Sequence, residues 1–272
     1  MIALRALFRP ILRPLAIAAA VVASMAVLSQ SVQAQSVDDI LKKKKVTIGI
    51  LADYPPFGFT NEKGELDGYD IEVGKLMAKY LGVEPEIVGV TGPNRIPYLL
   101  TNKVDVLIAT FGITPERAKQ VQFSNPYSSI DILVLADKEH KIAAPADLKG
   151  MRVSITRAST QDTALSAAAP KDAQLMRFDD DATAAQALLS GQVDAMGVSS
   201  IVAAQIQKQN PAKGYEVKFV MRRQPNGITL RRGSDDLRQW VNTFLFFVKN
   251  NGELSAIHQK WFGAPLPEMP VF

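Results

Sequence analysis

The sequence predicts an α/β protein built from two lobes of similar topology. Apolar, strand-like runs such as VTIGIL (46–51) alternate with segments of helical periodicity nearly to the end of the chain. Such alternation is typical of parallel α/β architecture. In addition, LLTNKVDVLIAT (99–110) is echoed by LLSGQVDAMGVS (188–199), so one helix-to-strand unit occurs twice.

The first copy of this unit lies in a segment with a well-defined helix. Residues 71–82 have helical periodicity and end at Gly82, and their predicted apolar face contains Val73, Leu76, Met77, Tyr80 and Leu81. The strand-like runs of this segment are residues 46–51, 85–90 and 104–110.

The second copy lies between two extended segments that cross from one lobe to the other. We expect the crossings near residues 130–136 and 222–228, which predicts a hinge of two extended strands. The strand-like runs of the second copy are residues 151–156, 174–178 and 193–199. The runs 215–221 and 226–232 then lead back. The predicted lobes are residues 35–130 with 226–272, and residues 131–225.

A C-terminal helix is predicted to pack on the first lobe. Ser234 is expected to cap it, and the sequence DDLRQWVNTFLFFVKN follows at residues 235–250. Its predicted buried side contains Leu237, Trp240, Val241, Phe244, Leu245 and Val248.

Residues 1–34 are predicted to be a signal peptide that is cut before Gln35. Three arginines precede the apolar run LAIAAAVVASMAVL (15–28), and the small residues Val32 and Ala34 occupy the positions that determine cleavage. A membrane anchor is disfavoured because this run is shorter than the roughly 20 residues of a spanning helix.

Charge and cysteine content restrict the function. The formal net charge of +4 falls to +1 when the three arginines of the predicted signal peptide are removed, so no basic surface indicates binding of nucleic acid. The chain has no cysteine, and an exported protein of this size can fold without disulfides. We therefore expect a periplasmic protein.

The position of Arg117 indicates an anion. Thr114 is a candidate N-cap and Pro115 a candidate first helical residue, which places Arg117 in the first turn. A cation is disfavoured there by a few tenths of a kcal/mol, because a helix N-terminus carries about half a positive charge. Thr110 and Ser199 end the two repeated strands and are expected to face one cleft, because ligands bind beyond such strand ends.

Further candidates come from loops and helix starts. Ser159, Thr160 and Asp162 open a helix whose free N–H groups suit an oxyanion, although Ser159 and Asp162 also fit a capping box. Tyr54 and Phe57 could cover an apolar ligand portion or pack in the core. Asn94, Arg95 and Arg157 either face the cleft or are solvated.

The sequence contains little evidence for catalytic residues. His140 and His258 lie in charged segments that we expect to be exposed, so the sequence supports neither a metal site nor a Ser-His pair. No Gly-rich nucleotide loop occurs. The acids Asp53, Asp162 and Asp194 suit caps or strand starts. We predict no catalytic residue, no metal and no cofactor.

The sequence resembles the family 3 extracellular solute-binding proteins, which are periplasmic amino-acid receptors of ABC importers. The resemblance covers residues 40–265 and rests on YPPF, GELDGYDIEVGKLMAKYLG, VDVLIATFGITPERAKQVQFSNPY, LKGMRVSIT, ASTQD, VDAMGV and KWFG in this order. It implies a two-lobed type II periplasmic-binding fold that closes on a small carboxylate or amino-acid ligand. It also implies a membrane permease as partner and a monomeric, non-catalytic protein.

The resemblance further implies roles for single residues. Arg117 would clamp the ligand α-carboxylate, assisted by Thr110, the backbone of Gly112, and Thr160. Tyr54 would cover the ligand side chain.

Two departures from the family pattern concern specificity. Ser199 stands where receptors for ordinary α-amino acids carry an Asp for the ammonium, and Leu51 stands where receptors for basic amino acids carry an acid. Either another acid such as Asp162 holds the ammonium, or the ligand lacks a conventional amino group. Arg95 and Arg157 suit a second anionic group, which favours a polar or acidic ligand. The alternative is a cyclohexadienyl-dehydratase-like enzyme on the same fold, with Asp162 as general acid.

Overall fold

One mixed sheet of eight strands crosses the computed structural model, which describes residues 34–271. In chain order the strands are β1 (Lys45–Leu51), β2 (Asp53–Tyr54), β3 (Gly58–Thr60), β4 (Leu66–Asp67), β5 (Glu84–Val90), β6 (Val106–Leu107), β7 (Val121–Asp137), β8 (Arg152–Thr156), β9 (Gln174–Phe178), β10 (Ala195–Ser199) and β11 (Tyr215–Arg231). The sheet order is β5-β1-β6-β11-β7-β10-β8-β9, and β2, β3 and β4 form a separate small sheet.

Helices cover this sheet and join its strands. In chain order they are α1 (Val37–Lys43), α2 (Tyr69–Leu81), α3 (Arg95–Leu100), α4 (Pro115–Ala118), α5 (Thr160–Ala168), α6 (Asp181–Leu189), α7 (Ser200–Gln209), α8 (Asp235–Asn250) and α9 (Glu253–Phe262). Two short 3₁₀ helices span Pro145–Leu148 and Pro211–Lys213. Within residues 34–271 no helix is both long and apolar enough to span a membrane. Apart from Ala34, the predicted signal peptide lies outside the described residues.

The two predicted crossing segments belong to the long strands β7 and β11, which pair antiparallel to each other over 17 residues each. The pair lies between β1, β5 and β6 on one side and β8, β9 and β10 on the other, where the strands pair in parallel within each group. This arrangement confirms the predicted α/β fold. The runs 215–221 and 226–232 form one continuous strand rather than two. The predicted lobe boundaries fall within the long pair and stay a prediction.

In two helices the sequence periodicity predicts most of the buried side chains correctly. In α2, which ends at Gly82 with φ of 70°, Val73, Met77 and Leu81 are buried as predicted, whereas Tyr80 is 39% exposed. Its hydroxyl donates to Glu253 Oε2 at 2.5 Å, a contact available only at the surface. In α8 five of the six predicted side chains are buried, and Trp240, half-buried, stacks on Phe244.

Three local expectations are wrong. The strand predicted at 104–110 is confined to Val106–Leu107, because the chain turns at Thr110 with φ of 46°. Ser234 does not cap α8; its hydroxyl accepts the Gln35 N–H at 2.8 Å. His258 is buried between aromatic rings, and its Nδ1 bonds to Ala264 O at 2.7 Å.

Gln35 ties the start of the described chain to the sheet. Its side chain is buried, its Nε2 donates to Asp105 Oδ1 at 2.6 Å, and its Oε1 accepts from Arg231. Asp105 also accepts the backbone N–H of Thr47 at 2.9 Å, so the cluster joins three separate segments.

Replacing Gln35 by Ala is therefore expected to destabilise the protein by about 2–3 kcal/mol, because the buried Asp105 and Arg231 each lose one bonding partner. Urea unfolding would show a lower midpoint at an unchanged m-value. Gln174→Ala, at an exposed strand position, is the matched control and should change stability by less than about 0.5 kcal/mol. Equal midpoints for the two variants would contradict a structural role of this cluster.

Candidate functional site

A polar cavity opens at the carboxyl ends of two parallel strands, β1 and β8, beside the middle of the β7–β11 pair. Its empty volume is about 360 Å³, including space open to solvent, which suits a small ligand. Six of the eight predicted binding residues line it, namely Tyr54, Arg95, Thr110, Arg117, Ser159 and Thr160. Gly112 and Ser199 do not line it. The ligand contacts of all eight stay a prediction.

Arg117 reaches the cavity from the first turn of α4. Thr114 caps this helix by accepting the Arg117 N–H at 3.2 Å, and Pro115 is its first residue, as predicted. The guanidinium donates to Gly112 O at 2.9 Å, to Thr160 Oγ1 at 3.2 Å and to Ala158 O at 2.9 Å. Gly112 thus contributes through its carbonyl, which orients Arg117.

No carboxylate neutralises Arg117 among residues 34–271, because all its bonding partners are neutral and it forms no ion pair there. Burial, followed by the nearby charges of Arg95 and Arg222, lowers the pKa of Arg117 to about 9. A half-buried cation held only by carbonyls and a hydroxyl is a strong site for an anion.

Arg95 is the second guanidinium of the cavity and is only 5% exposed, so a solvated role is wrong. Its Nε donates to Gly92 O and its Nη1 to Ala109 O, both at 3.1 Å. The Phe111 ring lies 4.5 Å from the Arg95 guanidinium and 4.1 Å from that of Arg117. Burial lowers the pKa of Arg95, while the negative charge of Asp181 opposes this effect.

The start of α5 faces Arg117 across the cavity. Ser159 caps the helix and accepts the Asp162 N–H at 3.0 Å. The N–H groups of Thr160 and Gln161 have no acceptor among the described residues, so they are free for an oxyanion.

The predicted capping box is incomplete, because Asp162 accepts from the Ala158 N–H and pairs with Arg177 at 3.0 Å. Asp162 does not line the cavity. It therefore neither holds a ligand ammonium nor acts as general acid there, and both expectations are wrong. Arg157 is exposed and pairs with Asp179 at 3.1 Å, so its predicted role toward a second anionic group is wrong as well.

Tyr54 and Ser199 are linked. Tyr54 is 4% exposed and packs on Phe57, and the neighbouring Ser199 side chain opposes the rise that burial causes in the pKa of Tyr54. Ser199 is fully buried and caps α7 by accepting the Val202 N–H at 3.3 Å. Ser199 thus supports Tyr54 instead of facing the cavity.

Thr110 is fixed by a buried network that the sequence did not reveal. Its hydroxyl donates to Asp70 Oδ2 at 2.9 Å, and its N–H donates to the Tyr127 hydroxyl at 3.1 Å. The Tyr127 hydroxyl donates to Asp70 Oδ1 at 2.8 Å. Burial raises the pKa of Asp70 to about 8, although the bonds from Tyr127 and Thr110 oppose this rise. The network holds Thr110 in its left-handed conformation at the cavity wall.

Asp181 is the acid that sequence reasoning missed. It lines the cavity, is 7% exposed, and accepts from Thr156 Oγ1 at 2.6 Å. Its backbone N–H donates to Asp53 Oδ2 at 2.9 Å. The only available signal was the run of three Asp residues at 179–181 before a helix, where Asp180 is the cap.

Comparison with known proteins agrees with this architecture. The family model of bacterial extracellular solute-binding proteins, family 3, matches residues 46–264. The L-cystine-binding protein TcyJ of Escherichia coli (strain K12) is 31% identical over 250 residues, which cover 90% of this chain and 94% of that protein.

Solved structures give the same result. The solute receptor for L-cysteine of Neisseria gonorrhoeae superimposes with a TM-score of 0.80 at 28% identity, covering 86% of this chain and 100% of that one. An ancestral amino-acid-binding protein, described as a precursor of cyclohexadienyl dehydratase, has a TM-score of 0.75 at 36% identity, with 83% and 98% covered. The chain belongs to family 3 of the bacterial extracellular solute-binding proteins. It binds a solute and is not an enzyme.

Proposed function

We propose that this protein is the periplasmic component of an ABC importer that binds a polar or acidic amino acid and delivers it to a membrane permease. The observation that carries the proposal is the half-buried Arg117, which lines the cavity and has no counter-charge among the described residues. A ligand α-carboxylate would accept from this guanidinium and from the free N–H groups at the start of α5.

Contacts across the cavity support closure of the two lobes on the ligand. Arg117, from the predicted first lobe, bonds to Ala158 and Thr160 of the predicted second lobe. Asp53 and Asp181 form a second such contact. A ligand that adds bonds to both sides favours the closed form, which the permease would recognise.

Selectivity for a polar or acidic ligand rests on the charges of the cavity. Arg95 and Arg117 provide two cations. Leu51 also lines the cavity, at the position where receptors for basic amino acids carry an acid, and it cannot pair with a basic ligand side chain. Support also comes from two relatives whose names give L-cystine and L-cysteine as their solutes, although other relatives are named for arginine. We also propose that the protein acts as a monomer.

A thermal-shift screen tests the proposal. The purified protein is heated with each common L-amino acid, with L-cystine, and with simple carboxylates that lack an amino group. We expect a polar or acidic amino acid to raise the unfolding temperature, because a ligand at a hundred times its Kd stabilises the folded state by about 2.7 kcal/mol. Native mass spectrometry would identify a ligand that copurifies. Stabilisation by solutes without a carboxylate, and by no amino acid, would contradict the proposal.

A further inference from the structure

We propose that Asp181 is the cation-binding residue of the cavity and that its carboxylate accepts the ammonium group of the ligand. This inference rests on the proposed function and goes beyond it, because it assigns the second charged group of the ligand to a particular side chain. It makes the ligand a zwitterion rather than a simple carboxylic acid.

The geometry of Asp181 leaves one carboxylate oxygen free. Asp180 caps α6 by accepting the Thr183 N–H at 2.7 Å, which places Asp181 in the first helical position at the cavity wall. Thr156 donates to Oδ1, whereas Oδ2 accepts from no group among residues 34–271. Asp181 forms no ion pair with any of these residues. The side chain is more than nine-tenths buried.

An independent observation indicates a hydrogen-bond donor in the same cavity. Gln224 also lines it and is 4% exposed, and its Oε1 is enclosed without a bonding partner among the described residues. Its Nε2 already donates to Asn226 Oδ1 at 2.6 Å, which fixes the orientation of the amide. Buried acceptors are rarely left unsatisfied. An ammonium group has three N–H donors, one of which would bond to the free Oδ2 of Asp181.

The other acids near the cavity are less suitable. Asp70 is fully buried behind Thr110, and both of its oxygens already accept hydroxyl donors. Asp162 pairs with Arg177 outside the cavity. Asp53 accepts the Asp181 N–H and does not line the cavity. Asp181 is therefore the acid whose free oxygen is placed to meet a ligand.

This assignment couples ligand binding to a proton. Burial, followed by the negative charge of Asp53, raises the pKa of Asp181 to about 7, while Thr156 and Arg95 oppose the rise and Asp180 adds to it. An ammonium group binds the ionised carboxylate. Affinity should therefore increase with pH up to about pH 7 and then level off.

The test compares each amino acid of the screen with its amine-free counterpart, for example L-glutamate with glutarate and L-cysteine with 3-mercaptopropionate. Asp181→Asn should weaken binding of the amino acid about 10- to 100-fold, because it removes a charge-assisted bond. Asp180→Asn is the matched control: it removes a neighbouring charge and keeps a good cap, so Kd should change less than about threefold.

A measurement on the unaltered protein is independent of how the variant folds. Calorimetry at pH 6 in two buffers of different ionisation enthalpy should show that ligand binding releases a proton. Ligand binding to Asp181→Asn should release fewer protons than binding to the unaltered protein. Asp70 titrates in both proteins, so the difference isolates Asp181.

The outcomes separate this inference from the proposed function. If the amine-free acids bind as tightly as the amino acids, the role of Asp181 is refuted while the carboxylate site at Arg117 stands. Unchanged amino-acid affinity of Asp181→Asn would also refute the role of Asp181 and leave the carboxylate site at Arg117 intact. If no amino acid or carboxylate binds the unaltered protein, the proposed function itself fails.

Discussion

Replacing Arg117 by Ala is expected to weaken binding of the amino-acid ligand by about two to four orders of magnitude. A guanidinium can donate two parallel bonds to a carboxylate, and each charge-assisted bond contributes about 1.5–3 kcal/mol. Tenfold in Kd corresponds to about 1.4 kcal/mol. The loss should be large because Arg117 lines the cavity and no carboxylate among residues 34–271 neutralises its guanidinium.

Two further variants show which property of Arg117 matters. Arg117→Lys keeps the charge but loses the planar fork, so we expect intermediate affinity. Arg222→Ala removes the same charge from an exposed residue that influences Arg117 without lining the cavity, and its Kd should stay within about threefold of the original. Isothermal calorimetry measures the ligand affinity of the three variants and of the unaltered protein. Affinity of Arg117→Ala within tenfold of the unaltered protein would refute the carboxylate site.

The fold should survive the loss of Arg117. Removing it leaves the carbonyls of Gly112 and Ala158 without this donor, which destabilises the folded state. It also removes a half-buried cation whose partial desolvation is unfavourable, and this gain opposes the loss. We therefore expect the unliganded variant to unfold within a few degrees of the unaltered protein, so that lost binding cannot be attributed to misfolding.

The elements of the fold were predictable where the signal is local. Helical periodicity located α2 and α8, and the cap and proline located α4, because each signal lies within a few residues. The strand at 104–110 was predicted too long, since the turn at Thr110 depends on Asp70 and Tyr127, which lie far away in sequence. The role of Ser234 was missed because its hydroxyl binds Gln35 from the other end of the chain.

The candidate site follows the same rule. Arg117, Ser159 and Thr160 were predicted because cap residues and a first-turn proline mark the start of a helix in the sequence. Asp181 was missed because an acid in the first turn is usually explained by its favourable interaction with the helix dipole. Only the tertiary structure places Asp181 beside Thr156 and the cavity. Asp162 has the same local signal and points away from the cavity, so sequence alone could not separate the two acids.

Asp70 is expected to make the protein less stable as pH rises from about 4 to about 8. Burial raises the pKa of this carboxyl from 3.8 to about 8 in the folded state. Between these values the folded chain keeps a proton that the unfolded chain has lost, so the free energy of unfolding decreases as pH increases. The slope approaches about 1.4 kcal/mol per pH unit for one such group. Asp181, with a pKa of about 7, contributes with the same sign at lower pH.

Asp70→Asn should remove the contribution of Asp70 to this slope, leave that of Asp181 below about pH 7, and make the variant more stable than the unaltered protein near pH 8. The amide cannot ionise, and it can accept from the Tyr127 hydroxyl while donating to Thr110, whose hydroxyl can rotate to accept. Urea unfolding at half-unit intervals from pH 5 to 8.5 measures the effect, with the exposed Asp172→Asn as control. The control should keep the original slope. If Asp70→Asn keeps it too, the buried carboxyl is ionised in the folded state at neutral pH, and the account of this network given above is wrong.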